Sequence, residues 1–422
     1  MIDPNSSRTI RQKEAIEKWI AARCCGTGIY PTGFGKTTTA IGCIKRFLNK
    51  NPTKKILVVV PTDVLKVQWT KILDYNGLSF NTEVQIINSV IRQEQYFDML
   101  VLDEIHRYSS NTFSEIFKKI KYGMILGLTA TYERLDGKEK ILDQYCPPFD
   151  CITLKEAVLN GWLSQSNIYK VIINVDDIEK YKELNKQFIS HFSFFDFDWN
   201  RAMGCVTSYQ NRVNYVKELI GNNNELFKEK LTECTTRAFA WNKTLQHRKE
   251  FVNNHPKKLE IANKILDARP NSKSIVFHSN IKQCETFNRG YIVHSGKNKK
   301  ENKQILEEFN TSPKGSIINS SKMLTEGLDV KGLDLAIILH NSSSSTERIQ
   351  KMGRVLRLEE NKKAEIFSIL IRDTVEEQWF KKSAKNTEFI ELNEYELDYV
   401  LKNYKINKQP VLQKEERYII TY

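Results

Sequence analysis

A glycine-rich turn near the start of the chain restricts the possible folds more than any other segment. The sequence GTGIYPTGFGKTTTA (26–40) follows an apolar run and leads into a stretch with helical periodicity. Gly33 and Gly35 allow a tight turn in which successive backbone N–H groups point the same way, and Lys36 and Thr37 follow directly. Such a turn is typical of a phosphate-binding loop between a buried strand and the helix after it.

Short apolar runs alternate with amphipathic stretches in both halves of the chain. The candidate strands are residues 54–60, 98–103 and 122–128 in the first half, and 272–277, 314–319, 333–339 and 364–370 in the second half. Helical periodicity fills the intervals, for example in residues 36–48, 64–74 and 299–309. This alternation predicts two α/β domains, each built on a parallel sheet.

The same pattern divides the chain into four parts. Residues 1–150 and 256–385 carry the two α/β patterns. Residues 151–255 contain one strand candidate, 168–175, followed by a long helical pattern, which predicts a connector with an inserted helical subdomain. Residues 386–422 are polar and show no clear period, so we assign them to a C-terminal extension.

Two adjacent carboxylates mark the end of a candidate strand in the first domain. The run DMLVLD (98–103) ends in Asp103, and Glu104 follows. A carboxylate at the carboxyl end of a parallel strand can hold Mg²⁺ beside a phosphate loop, and the next carboxylate can accept a proton from an attacking water. The sequence therefore predicts an ATP site in which Thr37 and Asp103 bind Mg²⁺ and Glu104 is the general base.

The charge balance indicates the kind of partner. The formal net charge is +13 over 422 residues, which favours a polyanion because each Lys or Arg placed on a phosphate releases counterions.

No stretch approaches about 18 uninterrupted apolar residues, and the first residues lack a signal-peptide pattern, so we expect no membrane segment and a cytoplasmic location. The eight cysteines form no CxxC pair and no zinc-finger spacing, and we expect reduced thiols.

Several segments, in order, resemble the DExH-type superfamily 2 helicases. The turn has the form PTGFGKT, which is typical of helicases, whereas a general phosphate loop would have glycine at Tyr30. RTIRQKEAI (8–16) resembles the Q motif, and VVPTDVLKVQW (59–69) resembles motif Ia. GLTATYERLDG (127–137) resembles motif III, with Tyr132 where the family more often has proline.

The second half of the chain continues this series. SIVFHSN (274–280) resembles motif IV, NSSKMLTEGLDV (319–330) motif V, and STERIQKMGRVLR (345–357) motif VI. The resemblance covers roughly residues 8–145 and 256–372. It implies an α/β fold of two tandem RecA-like domains with a mostly helical insertion, and an ATP site between the domains.

The resemblance also implies roles for individual residues. Nucleotide contacts are implied for Gln12, Thr32, Gly33, Phe34, Gly35, Lys36, Thr37, Thr38, Gly327 and Asp329. Catalytic roles are implied for Lys36, Asp103, Glu104, Gln350, Arg354 and Arg357, and coupling of hydrolysis to movement for His106, Thr129 and Thr131. Contacts with nucleic acid are implied for Pro61, Thr62, Gln68, Ser320 and Ser321.

The residues of motifs Ia and III indicate a particular branch of this superfamily. PTDVLKVQW and LTATYERLDG are similar to the branch that contains the phage UvsW recombination helicase, the repair helicases of transcription factor H, and the type I and III restriction motors. That branch acts mainly on double-stranded or branched DNA. The expectation is a monomeric, UvsW-like phage or bacterial DNA helicase or translocase that acts in replication, recombination or repair.

Alternative interpretations stay open at this stage. An RNA helicase and a nucleic-acid-binding scaffold with an inactive ATPase are the competing functions. The aromatic run HFSFFDFDW (191–199) can stack on bases or form the core of the helical subdomain. The basic run GKNKKENK (296–303) can contact phosphates or begin a solvated helix.

Overall fold

The first α/β unit is a parallel six-stranded sheet with helices on both faces. The computed structural model of the chain describes residues 6–110, 112–132, 137–221, 224–321, 330–358, 363–384, 387–403 and 410–412. The strands of the first sheet are β1 (Cys25–Ile29), β2 (Ile56–Val60), β3 (Thr82–Ile86), β4 (Gln95–Asp103), β5 (Ile120–Thr129) and β6 (Pro148–Cys151), in the spatial order β3-β2-β4-β5-β1-β6. The helices around it are α1 (Ser7–Ala21), α2 (Lys36–Lys50), α3 (Asp63–Tyr75), α4 (Ile87–Val90), α5 (Ile116–Lys119), α6 (Lys140–Tyr145) and α7 (Leu154–Leu159).

The central strands of the first sheet are buried on both faces, which is why their sequences are continuous apolar runs. All five residues of β2 are buried, and so are the last five residues of β4 and of β5. A parallel strand covered by helices on both faces has no solvent side, so its apolar residues do not alternate with polar ones. The three strand candidates of the first half are confirmed as β2, β4 and β5, with ends shifted by at most a few residues.

The second α/β unit contains seven parallel strands and a short antiparallel edge. Its strands are β7 (Gln165–Ile173), β8 (Ser274–His278), β9 (Tyr291–His294), β10 (Ile317–Ser321), β11 (Leu335–Ile338), β12 (Lys363–Ile371), β13 (Glu388–Asn393) and β14 (Val411–Leu412), in the order β14-β13-β7-β12-β11-β8-β10-β9. The helices packed on it are α12 (Pro256–Ala268), α13 (Ile281–Thr286), α14 (Lys299–Thr311), α15 (Ser345–Val355), α16 (Val375–Ser383) and α17 (Glu394–Leu401). The predicted class, two parallel-sheet RecA-like units, is confirmed.

Three strands of the second sheet come from outside residues 256–385. β7 lies in the segment expected to be a connector, and it pairs with β12 along nine residues. β13 and β14 lie in the segment expected to be an extension, where β13 pairs with β7 and β14 pairs with β13. The tail therefore contains two strands and a helix that its short, mostly polar pattern did not indicate. Phe389 and Leu392 of β13 are buried in two apolar clusters of the second unit, which form only when the sheet has folded.

The helical insertion lies between β7 and α12. It consists of α8 (Ile178–Ser193), α9 (Trp199–Thr207), α10 (Tyr209–Ile220) and α11 (Phe227–Asn254). Its centre is Trp241, whose ring lies 5.5 Å from that of Phe192 and 5.1 Å from that of Trp199. Phe195 is fully buried in the same cluster. The aromatic run therefore forms the core of the insertion, while Trp199 keeps 45% of its surface exposed.

Direct contacts join the two α/β units. Lys299 at the start of α14 pairs with Asp63 at the start of α3, with Nζ 2.9 Å from Oδ2. The basic run therefore begins a helix, and one of its lysines contacts the other unit. Lys155 of α7 pairs with Glu388 of β13 over 2.6 Å. These exposed pairs contribute little energy, but they show that the two units touch at more than one place.

Three further observations apply to the residues that the structure describes. Within them, no helix is both long and apolar enough to cross a membrane. In these same ranges no group of three or more His, Cys, Asp or Glu side chains is arranged to hold a metal ion. All eight cysteines fall in the described ranges, and all are free thiols.

Candidate active site

The phosphate-binding loop connects β1 to α2. Gly33 and Gly35 have φ of +93° and +106°, a backbone conformation that L side chains rarely adopt, so the sequence needs glycine at both positions. Lys36 begins α2 immediately after Gly35. Thr37 lines the adjacent cavity, and Thr38 is one residue further into the helix. The N-terminus of α2 therefore has no side-chain cap, and its first residue, Lys36, lines the cavity.

Phe34, one of the residues expected to contact the nucleotide, has its side chain in the core. Its ring is fully buried and lies 5.7 Å from that of Trp162 in an edge-on arrangement. It also packs 5.4 Å from the ring of Tyr30. An apolar ring gains more from this core than from a phosphate. Tyr30 and Phe34 therefore anchor the loop to the core of the first unit, and a nucleotide contact of Phe34 stays a prediction.

Side chains of the amino-terminal helix α1 donate hydrogen bonds to the backbone of the phosphate loop. Gln12 donates from Nε2 to the carbonyl of Phe34 over 2.8 Å. Arg8 donates to the same carbonyl over 2.8 Å and to the carbonyl of Gly33 over 2.7 Å. Burial lowers the pKa of the Arg8 guanidinium. Gln12 thus contacts the loop backbone, and Arg8 both supports the loop and lines the cavity, a role that the sequence did not reveal.

Asp103 ends β4 and is held by a tryptophan from the next helix. Trp69 of α3 donates from Nε1 to Oδ2 of Asp103 over 2.8 Å, and the Glu104 amide donates to Oδ1 over 3.1 Å. Burial, followed by the charge of Glu104, raises the pKa of Asp103 to about 6, and the Trp69 N–H opposes this rise. Trp69 belongs to the segment that resembles motif Ia, but nothing in the sequence pairs it with Asp103.

Glu104 occupies an unusual backbone position beside Lys36. Its φ is +51°, in the left-handed region that non-glycine residues adopt only where the surroundings impose it. Its Oε1 lies 3.8 Å from Nζ of Lys36, and its Oε2 is buried without a hydrogen-bond partner among the described residues. A buried carboxylate oxygen without a donor is costly unless a water, a metal or a substrate satisfies it.

A chain of polar contacts leads from Glu104 to the second unit. Nδ1 of His106 lies 3.5 Å from Glu104 Oε2 and 3.0 Å from the hydroxyl of Thr129. The Thr129 hydroxyl donates to the carbonyl of Thr131 over 2.6 Å, and the Thr131 hydroxyl lies 2.5 Å from that of Thr346 on α15. The three residues expected to couple hydrolysis to movement are thus contiguous. Thr346, which the sequence did not single out, continues them into the other unit.

The site has two walls. The first consists of the phosphate loop with Asp103 and Glu104, and the second consists of the helix α15 and the residues after it. Gln350 and Arg354 lie on α15, and Arg357 lies two residues beyond its end. These three residues line a cavity of about 420 Å³ together with the phosphate loop and the carboxylates. The lining residues also include Arg8, Thr32, Gly33, Gly35, Lys36, Thr37, Asp103, Glu104 and Arg107. Arg107 was not among the expected site residues.

The two walls also meet where α15 packs on the phosphate loop. A Cβ built on Gly353 of α15 would lie 2.2 Å from Cβ of Thr32 in the phosphate loop. Only glycine permits this approach, because any larger residue at position 353 overlaps the loop. The glycine of motif VI therefore allows α15 to lie directly against the phosphate loop.

The residues expected to contact nucleic acid lie in several places. Pro61 and Gln68 line the cavity, and Thr62 caps α3 by accepting from the Leu65 amide. Ser320 and Ser321 end β10, and both are buried with 1% of their surface exposed. Their expected contact with nucleic acid stays a prediction. Gly327 and Asp329, which were expected to contact the nucleotide, lie outside the described residues.

The donor set fits a magnesium–nucleotide complex. Lys36 and the helix N-terminus supply positive charge, Thr37 supplies a hydroxyl, and Asp103 supplies a carboxylate. Hard oxygen ligands of this kind, few in number and next to phosphates, suit Mg²⁺. The unsatisfied Oε2 of Glu104 leaves an acceptor for the water that attacks a phosphate.

Two family models match the chain on either side of the insertion. The model for the res subunit of type III restriction enzymes matches residues 8–95 and 80–134, and the helicase conserved C-terminal domain matches residues 257–359. These ranges contain the phosphate loop and the carboxylates in one case, and α15 with its arginines in the other.

Individual relatives extend over most of the chain. A DNA 3'-5' translocase XPB2 of Sulfurisphaera tokodaii is 26% identical over 86% of this chain and 82% of its own length. The type I restriction enzyme EcoAI endonuclease subunit of Escherichia coli is 24% identical over 87% of this chain, which spans 46% of that subunit. The structure of S. cerevisiae Dbp5 bound to RNA and ADP BeF3 superposes with a TM-score of 0.57 at 11% identity, covering 93% of this chain and 91% of that one. This last likeness concerns the fold alone.

Proposed function

Because the chain belongs to the superfamily 2 helicases and translocases, related to the type I and type III restriction motors, we propose that it remodels branched DNA in the manner of phage UvsW. An ATP-dependent DNA helicase or translocase is the activity that its relatives support. The preference for forked or four-way DNA, and a role in replication, recombination or repair of a phage or bacterium, are the specific parts of the proposal.

One observation carries the ATP-driven motor activity in this proposal. Residues from both α/β units surround a single cavity, with Lys36 and Glu104 on one wall and Arg354 and Arg357 on the other. A nucleotide in this cavity touches both units at once, so its hydrolysis changes how strongly they attract each other. An ATPase confined to one unit has no use for arginines from the other.

Each residue has a proposed task in this cavity. Lys36 and the loop amides hold the β and γ phosphates, while Glu104 accepts the proton of the attacking water. Thr37 and Asp103 would hold Mg²⁺, which neutralises charge on the phosphates when bound. Arg354 and Arg357 stabilise the charge that spreads over the γ-phosphoryl oxygens in the transition state. Loss of that charge after hydrolysis weakens the closed state.

Movement along DNA follows from repeated closing of the cleft. A strand that lies across both units is shifted when one grip moves relative to the other. The net charge of +13 favours contacts with phosphates, which position a protein without reading sequence. We therefore expect little sequence preference and a steep loss of affinity with salt, with a log–log slope of about −0.7 to −0.9 per phosphate neutralised.

The test is a panel of nucleic acids in one ATPase and unwinding assay. Single-stranded, blunt duplex, forked and four-way DNA are compared with single-stranded and duplex RNA, and Lys36→Ala provides the background rate. Branched DNA should stimulate turnover most. Equal or greater stimulation by RNA would favour the alternative of an RNA helicase. Turnover that stays at the Lys36→Ala background with every nucleic acid would contradict both and leave the scaffold interpretation.

A further inference from the structure

The segment between α7 and β7 contacts both walls of the nucleotide cavity. Trp162 packs edge-on against Phe34 of the phosphate loop, with ring centroids 5.7 Å apart. A Cβ built on Gly33 would lie 3.1 Å from Cδ2 of Leu163. The next residue, Ser164, donates two hydrogen bonds to the second unit. Three consecutive residues therefore connect the loop to the arginine wall.

Ser164 binds the two peptide groups next to the arginine side chain. Its amide donates to the carbonyl of Leu356 over 3.1 Å, and its hydroxyl donates to the carbonyl of Arg357 over 2.7 Å. These carbonyls lie just after α15, where helical hydrogen bonding ends and the backbone needs other partners. Ser164 is 2% exposed, so water does not compete for these bonds.

Arg357 lies beyond the helix that carries Gln350 and Arg354. It comes two residues after α15 ends at Val355. The helix cannot orient its side chain, and the Cγ of Arg357 lies 3.7 Å from a Cβ built on Gly33. An error of about 1 Å in the position of a catalytic group can lower a rate by about a hundredfold.

We propose that Ser164 is a positioning residue for Arg357, and that its hydroxyl fixes the backbone from which the guanidinium reaches the nucleotide. The linker thereby ties the arginine to the phosphate loop rather than only to its own domain. This inference rests on the proposed catalytic role of Arg357, and it assigns to the connector a function beyond joining the two sheets.

Ser164→Ala tests the proposal because it removes the hydroxyl and leaves the amide bond to Leu356 in place. DNA-stimulated kcat should fall about three- to tenfold, as for the loss of one neutral hydrogen bond, while the Kd for a slowly hydrolysed ATP analogue stays within about twofold. Ser164→Thr, which keeps the hydroxyl, should restore most of kcat. Ser166→Ala, two residues along in β7, is the matched control and should turn over like the wild type. Thermal unfolding midpoints identify any variant that merely folds poorly.

A double-mutant cycle separates positioning from a general structural effect. In an Arg357→Ala background, Ser164→Ala should cause no further loss, because the hydroxyl acts only through that arginine. Equal losses in both backgrounds, or wild-type kcat in Ser164→Ala, would overturn the proposal while leaving the function of Arg357 intact. Wild-type kcat in Arg357→Ala would instead refute the catalytic role of the arginine, and the proposal for Ser164 with it.

Discussion

The two walls of the nucleotide cavity are built in different ways. The wall that carries Lys36 and Asp103 is fixed within one unit: Trp69 holds the carboxylate, and Gln12 holds the loop. The wall that carries the arginines is a helix packed on the core of the second unit, and it meets the first wall only across the cleft, through Thr346 and Gly353. The comparison indicates that nucleotide binding is preformed in the first unit, whereas catalytic competence depends on closure.

This difference gives substitutions on the two walls different kinetic signatures. Changes on the first wall should affect binding or chemistry whether or not DNA is present. Changes on the arginine wall should reduce mainly the DNA-stimulated rate, because DNA acts by favouring the closed arrangement.

The largest effect is expected for Arg357→Ala. DNA-stimulated kcat should fall by about 10³ to 10⁵, and ATP affinity should change far less, because the guanidinium acts mainly on the transition state. Arg357→Lys should restore little, since an ammonium cannot reproduce the planar fork. Arg354→Ala should behave similarly, and the double variant should be far from additive. Steady-state kinetics with an independent binding titration are the measurement. Wild-type turnover in both single variants would mean that the walls do not share a nucleotide.

Glu104→Gln should reduce kcat by about 10² to 10⁴ while Mg·ATP still binds. The amide keeps the shape of the side chain but cannot accept the proton of the attacking water. Because Asp103 is unchanged, the variant should accumulate in the ATP-bound closed state and retain DNA tightly. Single-turnover hydrolysis and DNA dissociation rates measure both effects. Normal turnover would place the general base elsewhere.

Trp69→Phe should lower kcat by about tenfold and shift the pH dependence of kcat/KM. The variant removes the N–H that favours the charged form of Asp103, so the pKa of that carboxyl in the free protein, already raised to about 6, should rise further. Since the protonated carboxyl cannot hold Mg²⁺, the acid limb of the kcat/KM profile, which reports the free protein, should move to higher pH. A Val67→Ala control on the exposed side of α3 should leave the profile in place. An unchanged acid limb in Trp69→Phe would mean that Trp69 does not control the ionisation of Asp103.

Thr131→Val should have the smallest effect, about a threefold loss confined to DNA-stimulated turnover. It removes the hydroxyl that meets Thr346 across the cleft and preserves the shape of the side chain. Thr346→Val should give the same loss, and the double variant should add nothing further. Equal losses with and without DNA would indicate that the pair supports the fold rather than closure.

Much of this arrangement could be predicted from sequence, because its signals are local. Gly33 and Gly35 reveal the turn through their backbone requirement, and Asp103 and Glu104 follow an apolar strand. Both patterns are complete within a few residues, so no tertiary information is needed to recognise them.

The supporting contacts could not be predicted, because they join distant parts of the chain. Trp69 reaches Asp103 only after α3 has folded onto the first sheet, and Ser164 reaches Arg357 only after the two units have met. The strand β13 escaped notice for a related reason. Its buried residues acquire an apolar partner only from β7 and the core beneath it.

The most direct test of the shared cleft is an experimental structure of the protein with ADP, beryllium fluoride, Mg²⁺ and forked DNA. The expected result places Nζ of Lys36 and the guanidinium of Arg357 both within about 3 Å of the fluoride that mimics the γ-phosphate. Arg354 should contact the same group directly or through one water. A complex in which Lys36 touches the fluoride while both arginines lie beyond hydrogen-bond reach would contradict the account.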